Sequence, residues 1–147
     1  MTTKRFDLAI NKLYKAFHNN TLNPDDCKQC AVGNILDCSD SWKHLTDRHG
    51  AVKLNYVGLV NQNFGRRFNG YTPVELLQIE RAFLRGCGYL GLTKGRLIRP
   101  NDISNKDVLF NGLSQVVACL CELDGIDNVM DCSALFNFEH KEALVEV

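Results

Sequence analysis

The residues best equipped for chemistry are two cysteines in the run Cys27-Lys28-Gln29-Cys30. On a helix, positions three apart share a face, so both sulfurs could reach one ion. Tetrahedral zinc takes four nitrogen or sulfur ligands, and Cys-x2-Cys is its usual half-site. The other half is missing from the local sequence: Cys38, His44 and His49 follow, the two histidines five apart. Folding would have to bring the remaining ligands, with Cys87 and His49 the first candidates and Cys38 and His18 the alternatives. Zinc is the expected ion, and iron or an iron–sulfur centre the second choice. Two other readings stand beside these. Cys27 and Cys30 could simply be buried, with no cofactor at all. They could also form a redox dithiol, although the βαβ context of a thioredoxin-like motif is absent and Asp25 and Asp26 would oppose a thiolate.

A second constellation is Asn61-Gln62-Asn63-Phe64-Gly65-Arg66-Arg67-Phe68-Asn69-Gly70-Tyr71. It combines side-chain amides, aromatics and two arginines, the equipment of a loop that grips an anion or a base, with Arg66 and Arg67 as the binding residues. The alternative is a capped surface loop whose aromatics pack inward. Gly86-Cys87-Gly88-Tyr89-Leu90-Gly91 spells G-x-G-x-x-G, but it follows a helical segment and starts none, so it reads as a helix C-cap and loop. Glu75 and Glu80 are five apart and do not stack into a general-acid pair. His49 beside Gly50 suits a cation at a helix C-terminus. No Gly-x-Ser-x-Gly, Walker, His-Glu-x-x-His or EF-hand motif is present, so the reading leans away from an enzyme.

These residues need elements to hold them, and the helical signals are strong. Phe6, Ile10, Leu13 and Phe17 form one stripe of an amphipathic helix. Asn23-Pro24 predicts a helix through Asp25 and Asp26 that ends at Gly33. Ser39 or Asp40 would cap a short helix carrying Trp42 and Leu45. The stretch from Leu54 to Val60 is either a short strand or a helical turn. Thr72-Pro73-Val74-Glu75 forms a capping box for a helix running to Gly86. Ser104 to Asp107 would open the longest helix, ending at Asp124-Gly125, and a last helix would run from Asp131 through Phe136. The expected fold is mainly α: residues 1–147 as a compact single-domain bundle of about five to seven helices with irregular loops.

The chain has 147 residues, 45% hydrophobic and 23% charged, with seven cysteines and 17 basic side chains against 17 acidic ones. That composition excludes disorder and low complexity, and the zero net charge excludes a uniformly basic nucleic-acid binder. The zero is a sum of opposites: +1 over residues 1–52, +6 over 53–100 and −7 over 101–147. The basic middle either faces the acidic last third or meets a partner, nucleic acid or an acidic protein; an oligomer is compatible with both. No apolar run approaches the roughly 18 residues of a membrane span, and no signal peptide is evident. An odd cysteine count without an export signal fits a reducing cytoplasm.

Nearly the whole chain resembles a family of short, uncharacterised bacterial proteins. The resemblance rests on Asn23-Pro24 with Cys27 to Asn34, on Leu54 to Gly65, and on Tyr71-Thr72-Pro73 through Gly86-Cys87-Gly88-Tyr89. Members sometimes carry the name of the flavoprotein component of the sodium-translocating NADH:quinone reductase. That name would imply a flavin and a plant-type ferredoxin centre with Cys-x4-Cys-x2-Cys, whereas the residue five before Cys27 is Leu22. Three functions therefore follow as expectations: a metal-binding protein built on the Cys-x2-Cys half-site, a metal-free interaction or regulatory module using the basic region 53–100, and a redox or electron-transfer protein.

Overall fold

The structure, a computed structural model, describes residues 3–47, 49–89, 100, 102 and 105–126. Among them are five α-helices and no strands; Phe68 and Tyr71 form an isolated antiparallel bridge. The expected last helix beyond Asp131 lies outside the described residues, as do Lys94, Arg96 and Arg99 of the basic region. Among the described residues, no helix is long and apolar enough to cross a membrane.

Helix α1 (Lys4–His18) is capped by Thr3 and buries Phe6, Ile10, Leu13 and Phe17, the stripe its periodicity predicts. Helix α4 (Pro73–Gly86) carries the full capping box: the Thr72 hydroxyl accepts from the Glu75 amide, and the Glu75 carboxylate accepts from that of Thr72. Helix α5 (Lys106–Leu123) lies along α4 at very short range. A Cβ on Gly112 would stand 2.5 Å from the Cys87 sulfur and 2.9 Å from the Phe83 ring. Only a glycine lets the two helices approach this closely.

Arg5 of α1 fastens one end of this arrangement. Its guanidinium donates to Glu75 at 2.9 Å and to Asp124 through Nε at 2.7 Å, and stacks over the Tyr71 ring. The starts of α1 and α4 and the end of α5 therefore meet at one cation. Leu13, Trp42, Tyr71, Phe83 and Leu113 are fully buried between these elements.

Three expectations need correction. The segment after Asn23-Pro24 is not a helix to Gly33. The Asn23 side chain accepts from the Asp25 amide, only two residues on, and so closes a turn rather than capping a helix. Turns continue to Gln29, and α2 (Ala31–Ile35) begins only after Cys30, with Gly33 inside it. The helix expected around Trp42 is a single 3-10 turn, Lys43–Leu45. The first cap of α5 is Asn105, whose side chain accepts from Asp107 and Val108, rather than Ser104.

The ambiguous stretch from Leu54 to Val60 resolves as α3 (Tyr56–Asn63), capped by Asn55. In the loop that follows, Phe68 and Tyr71 pack inward as expected, while Phe64 is 85% exposed.

Candidate metal centre

Three segments distant in sequence converge on a buried carboxylate. Helix α4 buries Leu76, Ile79 and Phe83, and Glu80 falls on the same stripe, 1% exposed. A carboxylate buried that deeply needs polar partners. One is the Val32 amide in the first turn of α2, donating to Oε1 at 3.4 Å. Another is His49, whose Nε2 lies 2.8 Å from Oε2. The third neighbour is Cys30, whose sulfur lies within 4.8 Å of a Glu80 carboxylate oxygen.

Cys30 is itself the N-cap of α2. Its sulfur accepts the Gly33 amide at 3.3 Å, a polarity suited to a thiolate. The turn before it is pressed flat against α2: a Cβ on Gly33 would meet the Cys27 carbonyl oxygen at 2.4 Å and the Lys28 carbonyl carbon at 2.5 Å. Trp42 braces the same turn, its indole N–H donating to the Cys27 carbonyl at 3.1 Å while its ring tilts against that of His49. Tyr89, beyond the end of α4, donates to Asp25 at 2.6 Å and ties the far side of the turn.

Proton affinities follow from this crowding. Burial, then the charge of Glu80, push the Cys30 thiol well above its ordinary value, against the pull of the Gly33 amide. Burial draws His49 down, but its hydrogen bond to Glu80, the charge of Glu80 and that of Asp25 outweigh it, so the imidazole ends raised. Without a metal, Cys30 is a thiol, and His49 keeps its proton to higher pH than a free imidazole.

One donor atom from each of Cys30, His49 and Glu80 lies within 4.8 Å of the others, so the group could hold a metal ion. Zinc–ligand bonds of about 2.0–2.3 Å put tetrahedral donors about 3.3–3.8 Å apart, so side-chain shifts of about an ångström, which would open the 2.8 Å His49–Glu80 pair, bring the three donors to one ion.

The other sequence candidates sit elsewhere or at the rim. Cys87 is the C-cap of α4, its sulfur packed against Gly112; burial, then the charge of Glu80, push its thiol up to about 12. Cys38 is exposed, beyond the end of α2. His18 packs edge-on against Tyr14 and Phe17 in the last turn of α1. Cys27 is half-buried on the turn beside the site. Arg66 stacks over Phe68 and donates to Asn61, and Arg67 donates to the Gly70 carbonyl, so both partly serve their own loop. The G-x-G-x-x-G stretch begins as a helix end: Gly86 closes α4, Cys87 caps it, and Gly88 has a left-handed φ of 95°.

Glu80 is the residue that sequence reasoning misses. Its signal is present all the same: a carboxylate four residues after Leu76 and three before Phe83, inside an apolar stripe, is a buried charge in need of partners. No protein-family model, no curated protein and no solved structure matches the chain. The chemistry of the centre is therefore read from its own atoms.

Proposed function

We propose that this protein binds one divalent transition-metal ion, zinc by its donor set, through Cys30 Sγ, a His49 ring nitrogen and a Glu80 carboxylate oxygen. The observation that carries the reading is the convergence of these three donors, Cys30 and Glu80 buried and His49 half-buried, each held by an unrelated element. Thiolate, imidazole and carboxylate together suit zinc, and Fe(II) less well. An iron–sulfur cluster wants four thiolates, or two with two histidines, which this donor set does not match.

The proton affinities argue in the same direction. A nucleophilic or redox cysteine needs a lowered pKa, and Cys30 has the opposite environment. A cation placed between the sulfur and the carboxylate reverses that penalty, because it stabilises both anions at once.

The test is metal analysis of the full chain purified without chelators and without oxygen, followed by zinc competition against a chromophoric chelator. About one zinc per chain is expected, lost in Cys30→Ser and Glu80→Gln. A wild-type chain that is folded yet neither carries nor takes up zinc or iron overturns the reading.

A further inference from the structure

We infer that Cys27 supplies the fourth ligand, so that the metal sits in a closed shell of two sulfurs, one nitrogen and one oxygen. This rests on the metal-binding reading above and goes beyond it, because it separates a closed, tethering site from an open one. Three protein donors leave a tetrahedral ion one position for water or substrate; four leave none.

The geometry favours Cys27 over every other donor nearby. It precedes Cys30 by three residues on one turn, and the Cys30 thiol points back to the Cys27 carbonyl at 3.6 Å. That turn is held from two further sides, by the Trp42 indole and by the backbone of α2 at Gly33. The backbone of Cys27 is thus fixed beside the site; its half-buried side chain is not among the three donors already gathered there and has to turn inward to complete the shell.

The competing donors are committed elsewhere. Asp25 accepts the Tyr89 hydroxyl, and the Cys87 sulfur abuts Gly112. Two thiolates, a carboxylate and a neutral imidazole around a divalent ion would carry one net negative charge.

Cobalt(II) loaded into the full chain reports the sulfur count, since each thiolate bound to cobalt adds to a charge-transfer band in the near ultraviolet. Wild type is expected to show a tetrahedral visible spectrum, and Cys27→Ser to retain cobalt with about half the charge-transfer intensity. Equal intensity in wild type and Cys27→Ser places Cys27 outside the shell and overturns the inference, while leaving the three-donor reading intact. A wild type that binds no cobalt or zinc removes both.

A second measurement needs no variant. Zinc should protect Cys27 from alkylation in the wild-type chain while exposed Cys38 stays reactive, as read by mass mapping. Equal alkylation of Cys27 with and without bound zinc also overturns the inference.

Discussion

The Glu80 carboxylate accepts the Val32 amide, meets the His49 ring and borders the Cys30 thiol, so its replacement is the most informative single change. Glu80→Gln preserves volume and one acceptor but removes the charge that raises His49. In the metal-free variant the His49 titration, followed by NMR of the ring protons, should move to lower pH than in wild type. The sign of the stability effect follows from the same pair. A folded-state pKa above the unfolded value contributes stability in full below about pH 6.5 and loses it as pH rises through the folded value. Urea midpoints of the chelated protein should therefore fall across that window, and His49→Gln should flatten the fall. Metal binding has to displace the protons on Cys30 and His49, and on Cys27 if it completes the shell, so about one to two protons per zinc should appear in weakly buffered titrations for a three-donor site and about two to three for the closed one, with affinity rising with pH. Cys30 and His49 can be nominated from sequence because thiols and imidazoles are read as ligands wherever they occur. Glu80 cannot be read in the same way, because a glutamate in a helix is most often a solvated charge. Its role appears only when His49, thirty-one residues earlier, folds against it.

At the scale of elements, the capping box of α4 and the stripe of α1 are legible in the sequence because each is closed within four residues of itself. The segment from Asn23 to Cys30 is not, because a two-residue closure by Asn23 and a helix cap begin with the same residue types. What decides between them is tertiary: the turn is pinned from outside by Trp42 and lies against Gly33. Gly33→Ala should therefore cost about 1–3 kcal/mol, as overpacking against a backbone that cannot retreat. It should also weaken zinc binding, since the turn it displaces carries Cys30. Chemical denaturation and zinc competition on the same variant check both. Thr72→Ala is a contrasting control: loss of the α4 cap should cost about 1 kcal/mol with little change in zinc affinity, because Glu80 lies two turns further along the helix.

For the molecule as a whole, a metal at this centre joins the turn before α2, the segment after the 3-10 turn and the middle of α4. Zinc at one hundred times its dissociation constant should stabilise the fold by about 2.7 kcal/mol. Trp42, the single tryptophan, stands with its ring centroid 6.2 Å from that of His49 and gives the fluorescence that would follow this. The spacing of the donors along the chain has a kinetic consequence. In a zinc finger the ligands are neighbours, and the ion can gather an unfolded chain around itself. Here Glu80 lies thirty-one residues beyond His49, so the ion would have to close long loops before gaining its last ligand, at an entropic cost that rises with loop length. The apolar packing of α1, α4 and α5 must come first, and the ion then arrives as a late rivet in an assembled frame. Refolding rates should accordingly be indifferent to zinc, and its effect should appear almost entirely in the rate of unfolding.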